Sequence, residues 1–289
     1  MVWKAHEVVF RLHSPLHIGW SKVGNLLRTR PYVTGRVLWG ALTMRLTRDE
    51  AGQKGVAAGP DKYEQFGKKV HRCLAFSYFY PALKSGPGDC YKVVWPWEDA
   101  SSFCRRFLSS YQATALSYAA QSADEGMLRE AEFIAPYTLD TAEEVFLKGY
   151  VFEKVGECTL EWKSALNRLQ LGAERGYGWG DVRFVGSTEI TQDQLFNDDR
   201  VEYINDSVRP IIRLREGARL LAHVLAENAP VAGNIEPLVG REWRSNNSHN
   251  RYVGQHVELS GVCFTPGSTL LTECDFEIKE LGIWKALDN

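Results

Sequence analysis

Leu171-Gly172-Ala173-Glu174-Arg175-Gly176-Tyr177-Gly178-Trp179-Gly180, followed at once by Asp181-Val182-Arg183-Phe184-Val185, is the stretch on which the fold turns. Just ahead of it, Trp162, Ala165, Leu166 and Leu169 fall at i, i+3, i+4 and i+7, one face of a short amphipathic helix. Just after it, residues 181–185 alternate as a strand does. Four glycines in nine residues free the backbone for positive φ and for close approach. The spacing is not that of a dinucleotide-binding turn, which follows a strand rather than a helix. No Gly-Lys-Ser/Thr is present to make a P-loop.

Working outward, residues 2–12 read as a strand that ends at Ser14-Pro15. A loop is expected over residues 17–34, then a helix over 35–48 with Thr34 as its N-cap. Residues 49–60 read as a surface loop. Residues 73–83, dense in Phe and Tyr, read as a buried strand, and 91–95 as a strand completing a hairpin. Residues 101–120 show helical spacing, and 145–153 are again strand-like. Strand, helix, strand, strand, helix, strand is the α+β, ferredoxin-like (RRM-like) order. Either 91–95 or 145–153 can be its third strand, so one intervening stretch is an insertion. The reading gives an RRM-like domain with insertions over residues 1–186 and a polar linker or surface excursion over 187–210. A second β-rich region follows over 211–289, readable as a degenerate RRM-like unit, with strands at 219–225, 257–264 and 274–278.

The chain has 289 residues, 44% of them hydrophobic and 24% charged, a composition that supports a packed core rather than disorder. No run reaches the roughly 20 apolar residues of a membrane helix, and the first residues alternate instead of forming a signal-peptide core. A cytoplasmic protein without membrane partners is the expectation. Six cysteines lie no closer than eleven residues apart, which rules out the paired spacing of a zinc knuckle. They read as buried free thiols. The net charge is −2, yet residues 8–48 contain no Asp or Glu and carry seven of the 34 Lys and Arg. One basic segment on an acidic body is the charge pattern of a polyanion site.

In a ferredoxin-like sheet the first and fourth strands are neighbours. The loop after the first and the loop before the fourth therefore share one end. Lys22, Arg28 and Arg30 are expected beside Arg175, whose guanidinium fork suits phosphate. Tyr177 and Trp179, with Trp20 and Tyr32 opposite, offer faces for stacked bases. Arg36 and Gly40 on the helix, His17 in the loop, and the open backbone of Gly176, Gly178 and Gly180 complete the candidate RNA surface. Arg241, Arg244 and Arg251, near His249 and His256, form a candidate second contact. His13 and His17 also fit metal-independent RNA cleavage. No metal site, cofactor site or paired-carboxylate motif is evident.

Ser14-Pro15-Leu16-His17-Ile18-Gly19 is similar to the opening block of RAMP proteins. Residues 31–42, Pro-Tyr-Val-Thr-Gly-Arg-Val-Leu-Trp-Gly-Ala-Leu, resemble their block at the start of helix one. Arg175-Gly176-Tyr177-Gly178-Trp179-Gly180 is similar to their glycine-rich loop. The chain thus resembles the RAMP superfamily of CRISPR effector subunits over residues 14–185. Trp39 and Thr34 depart from the family's small residue and Pro. The resemblance implies an RRM-like, non-catalytic subunit that binds guide RNA (crRNA), assembles with other Cas subunits and meets target RNA through the complex. Backbone subunits that cut target RNA carry an Asp in the loop after strand one, whereas residues 19–34 here contain no acid. With the chain's length, this implies the subunit that caps the 5′ handle, called Cas five, in a type III-D-like or type VII-like system, docked on a backbone subunit. Two alternatives stay open: a repeated backbone subunit coating the spacer, and a precursor-crRNA endoribonuclease using His13 or His17.

Overall fold

Trp3–Leu12 is the strand around which the first sheet is built. It pairs antiparallel with Phe146–Lys154 on one side, from Trp3↔Lys154 to Arg11↔Phe146. On the other side it pairs with Val182–Glu189, from His6↔Glu189 to Leu12↔Val182, with an irregularity between Val9 and Phe10. Phe146–Lys154 also pairs with Leu74–Phe76 and Tyr80–Lys84, and Tyr91–Val93 closes that edge. The spatial order is fourth, first, third, second, the ferredoxin-like arrangement. The third strand is therefore the later of the two candidates, and the intervening residues are the insertion. The computed structural model describes residues 2–56, 58–86, 88, 90–119, 121–190, 194–205, 207–242 and 256–287.

Both faces of this sheet are covered, which is why its strands read as apolar runs instead of clean alternation. Val8, Phe10 and Leu12 face a helical layer of Gly35–Gln53, Pro60–Cys73 and Trp162–Ala165, the last continued by a 3-10 turn at Leu166–Arg168. Trp3 and Ala5 face the other way, with Tyr78, Tyr80, Tyr150 and Phe152, against the carboxy-terminal sheet. The expected amphipathic positions Trp162, Ala165, Leu166 and Leu169 are all buried. Trp39 fits because Gly67 lies opposite: its indole Nε1 donates to Gly67 O at 3.1 Å, and a Cβ at 67 would come within 2.9 Å of the ring.

Local pattern misled at five places. The helix from Gly35 runs on to Gln53, and a second helix, Pro60–Cys73, was not anticipated. Thr34 occupies the N-cap position without a side-chain cap hydrogen bond. The loop expected over 17–34 contains a hairpin, Gly19–Val23 with Leu26–Thr29, turning at Gly24 (φ +58°) and Asn25. The helix expected over 101–120 ends at Phe107. It is replaced by strand Leu108–Ala113, which pairs with Arg129–Ile134, and that strand runs parallel to Leu26–Thr29. Insertion and hairpin together form a four-stranded accessory sheet.

The segment read as a linker over 187–210 is not one continuous excursion. The fourth strand extends to Glu189, and Val201–Ile204 is the outer strand of a seven-stranded carboxy-terminal sheet. Backbone pairing thus claims both ends of a stretch whose polarity suggested solvent. Within that sheet, Ile235–Glu242 and His256–Phe264 form a long antiparallel ribbon. No helix among the described residues is long and apolar enough to cross a membrane.

A buried polar network joins the two regions. His223 is fully buried; its Nδ1 accepts from the Tyr78 hydroxyl (2.7 Å) and its Nε2–H donates to Glu236 Oε1 (2.6 Å). Arg30 donates to the same oxygen at 2.7 Å and to the Tyr32 hydroxyl at 3.3 Å. Burial lowers the His223 pKa, aided by the Arg30 charge. Burial alone would raise the Glu236 carboxyl, but the hydrogen bonds from His223 and Arg30 hold it at about 2. Burial pushes Tyr32 up to about 12. Removing one member strands the others without solvent. Arg30→Met is expected to lower unfolding free energy by about 3 kcal/mol in urea titration.

Burial also lowers the histidine pKa of His6 and takes that of His71 to about 4. His71 stacks on Trp39 at 4.7 Å. These groups and His223 stay neutral in the fold, whereas the unfolded chain takes up protons near pH 6.5. The stability they protect is intact above that pH and lost as pH falls towards 4. Thermal melts should show the midpoint dropping across this window, with His71 alone accounting for on the order of 2 kcal/mol at its lower end.

Candidate nucleic-acid interface

The glycine-rich loop lies directly on the turn after the first strand. His13 N donates to Asp181 O (2.9 Å), Gly180 N to Pro15 O (2.7 Å) and Ala173 N to His17 O (2.9 Å). Leu171 N donates to Gly180 O at 2.8 Å, closing the loop's base. Ser14 Oγ accepts from Asp181 N at 2.8 Å. Two glycines make this approach possible. Gly172 (φ +74°) has no room for a Cβ against His17 O, and Gly180 (φ +76°) has none against Leu171 O. Two features of the sequence more than 150 residues apart therefore meet at one end of the sheet, as the topology requires.

The loop's outer arc carries the groups that face solvent. Arg175, Gly176, Tyr177 and Gly178 are exposed, Tyr177 at 75%. Around Gly176 and Gly178 there is open space out to 4 Å where a side chain would begin. The Arg175 guanidinium rests on Met44 Sδ at 3.3 Å, so the long helix orients it without neutralising it. Trp179 is half-buried instead. It packs edge-on against Phe133 (5.1 Å) and Tyr111 (6.2 Å) of the accessory sheet. Trp179 anchors the loop, and Tyr177 is its free aromatic face.

The hairpin divides in the same way. Lys22 is exposed and, among the described residues, has no hydrogen bond or ion pair. Trp20 is 50% exposed, with the Arg30 guanidinium 5.5 Å from its ring. Arg28 is committed to Glu132 at 3.0 Å, whose same oxygen accepts from Thr29 N at 2.9 Å. Arg30, expected to contact RNA, is taken up by the Glu236 network and is 12% exposed. Tyr32, expected as a stacking face, is stacked on Tyr78 in the core. His17 is only 4% exposed, and its Nδ1–H donates to Glu132 O at 2.6 Å. Its ring ties the turn after the first strand to strand Arg129–Ile134 of the accessory sheet and is buried instead of facing solvent. His13 Nδ1 lies 4.0 Å from Asp181 Oδ2.

Arg36 belongs to a different surface. Its Nη1 donates to Ser260 Oγ at 3.4 Å, and the guanidinium lies against Gly240, where a Cβ would overlap it. It meets the carboxy-terminal ribbon there, and Gly240 is small so that it can. Gly40 sits on the half-exposed face of the long helix with open space above it. Arg244 and Arg251 lie outside the described residues, as does the side chain of Arg241.

Sequence reading missed three groups that shape this end. Arg129 forms a two-pronged pair with Glu174 (2.6 and 3.4 Å) and lies over the Tyr177 ring at 5.3 Å. Glu174 adopts the left-handed conformation (φ +57°) in reaching it. Tyr111 is exposed beside Trp179. Arg129 and Tyr111 lie in the insertion, where nothing local announces pairing with a hairpin some hundred residues earlier.

No protein-family profile matches the chain, and no curated protein matches it. Among solved structures, it is similar to chains of Type III-B Cmr-beta complexes. One, in the complex bound to cognate target RNA, is 10% identical with a TM-score of 0.37, covering 62% of this chain and 96% of that one. One in the apo state is 10% identical with a TM-score of 0.38, covering 65% and 97%. A third, bound to cognate target RNA and AMPPnP, is 12% identical with a TM-score of 0.48, covering 91% and 84%.

Gly180→Ala combines a backbone overlap with a left-handed φ, and should cost about 2–3 kcal/mol by urea unfolding. Gly176→Ala meets open space at ordinary φ and is expected to stay within about 0.5 kcal/mol of the parent. Equal stabilities for the two variants would contradict the packing described.

Proposed function

We propose that this chain is a guide-RNA-binding subunit of a CRISPR ribonucleoprotein effector, holding the strand where the glycine-rich loop rests on the turn after the first strand. One observation carries the reading: Gly172 and Gly180 seat the loop on residues 13–18, which turns Arg175, Gly176, Tyr177 and Gly178 outward to solvent. A phosphate fits the open backbone and the Arg175 fork. An unpaired base fits the Tyr177 ring, held beneath by Arg129. Lys22 and the exposed face of Trp20 extend the track along the hairpin. Two of the three RAMP-like sequence blocks, residues 14–19 and 175–180, meet at this end of the sheet, which supports the same reading.

More finely, the subunit caps the 5′ handle of the guide and docks on a backbone subunit among the other Cas subunits, meeting target RNA in the assembled complex. Its role is to hold RNA without cutting it. Absence of an acid from residues 19–34 supports a cap over a target-cutting backbone subunit. Subunit stoichiometry in the purified effector separates the two, since one copy fits a cap and several copies fit a filament.

Filter binding with labelled repeat-derived RNA tests the site. Arg175→Ala should weaken retention about tenfold and reduce the slope of log affinity against log salt by about one. Tyr177→Ala should cost about 1–3 kcal/mol with little change in slope. Lys68→Ala, on the helical layer and paired with Glu64, serves as the control expected to behave as the parent. Parent-like binding by both Arg175→Ala and Tyr177→Ala would remove the proposed site.

A further inference from the structure

Two of the six cysteines, 85 residues apart, meet thiol to thiol. Cys73 ends the helix Pro60–Cys73 and is 3% exposed; its thiol donates to Cys158 Sγ at 3.1 Å. Cys158 is half-buried and follows the third strand, in the segment leading to Trp162. The sheet fixes their approach, because Leu74, next to Cys73, is the strand partner of Glu153. All six cysteines are free thiols, as expected, but not all are buried. Cys90 and Cys104 are exposed, Cys263 and Cys274 are buried, and Cys73 and Cys158 form a pair.

The pair is chemically asymmetric. The hydrogen bond from Cys73 lowers the Cys158 pKa, against the effect of burial, and a backbone hydrogen bond from Leu160 adds to the lowering. The same hydrogen bond, together with burial, holds the Cys73 thiol well up. Of the two thiols, Cys158 is thus the one that ionises more readily, and Cys73 the one that holds its proton. Cys158 also lines a cleft of about 280 Å³ with Glu153, Thr159, Trp162 and Lys163. A small reagent can approach Cys158 from that side, while Cys73 stays buried behind it.

We propose that Cys73 and Cys158 are a dithiol site that closes to an intramolecular disulfide by exchange with a small-molecule disulfide of the glutathione class. The Cys158 thiolate attacks one sulfur of the reagent, forming a mixed disulfide and expelling the first small thiolate. Cys73 then gives up its proton to that thiolate and attacks Cys158 Sγ, expelling the second. Two protein thiols and one small disulfide become one protein disulfide and two small thiols, and the reagent takes up the two electrons. The new bond ties the start of the second strand to the segment after the third and encloses the whole insertion. That places two of the accessory sheet's strands, Leu108–Ala113 and Arg129–Ile134, inside a covalent loop.

The test uses the full chain in graded mixtures of reduced and oxidised glutathione, quenched with an alkylating reagent and mapped by peptide mass spectrometry. The expected product is a Cys73–Cys158 peptide link with both residues protected from alkylation. Oxidised protein should melt higher by on the order of 5 °C. Cys73→Ser should stop at a persistent glutathione adduct on Cys158. Cys158→Ser should leave Cys73 reduced and unmodified. A persistent adduct on Cys158 in the parent protein, or a parent in which both thiols stay alkylatable under oxidising mixtures, would overturn the proposal. A link between any other cysteine pair, formed first, would overturn it as well.

Discussion

Everything at the candidate site depends on one backbone seam, in which residues 171–181 are hydrogen-bonded to residues 13–18. The first and fourth strands pair antiparallel, so the chain leaving one and the chain entering the other must share an end. That alone brings them near. Contact needs the further condition that Gly172 and Gly180 carry no Cβ, because carbonyl oxygens occupy the places a Cβ would take. Once the inner edge of the loop is spent on these bonds, its outer arc has nowhere to point but solvent. The exposure of Arg175 and Tyr177 is thus a consequence of the seam and of Trp179 anchoring against Phe133, rather than of loop polarity.

Charge shows how far linear reading reaches. Residues 8–48 hold no acid, and that is correct as a statement about sequence. In space the acids arrive from elsewhere. Glu144 meets Arg11, Glu132 meets Arg28, Glu236 meets Arg30 and Asp49 meets Arg45. Among the described residues Lys22 is left without such a partner, and Arg175, from the distant loop, joins it in having no acid beside it. A basic run is therefore a list of candidates from which folding subtracts. The subtraction depends on partners up to 206 residues away, so no local window can perform it.

The architecture was legible where periodicity is local and one face dominates. The helix at Trp162, the fourth strand after Gly180 and the order of the first sheet all followed from residue spacing. The hairpin at Gly19–Thr29 and strand Leu108–Ala113 were not legible, because each is stabilised mainly by the other elements of the accessory sheet. Residues 108–113 even continue the helical spacing of 101–107, and only tertiary pairing decides against it. Likewise His17 and Tyr32 look like ligand groups in a basic loop. They are core residues because the carboxy-terminal sheet and the insertion close over them.

The partnership of Arg30 with Glu236 has a consequence for how the molecule is made. Their separation of 206 residues means that the guanidinium emerges from the ribosome long before its carboxylate exists. At about 5–20 residues per second, the nascent chain spends roughly 10–40 s with that cation unmatched. The outer face of the first sheet, with Tyr78, Tyr80 and Tyr150, waits equally long for its cover. During synthesis the amino-terminal half is a sticky, positively charged intermediate. It becomes a finished surface only when the last strands arrive.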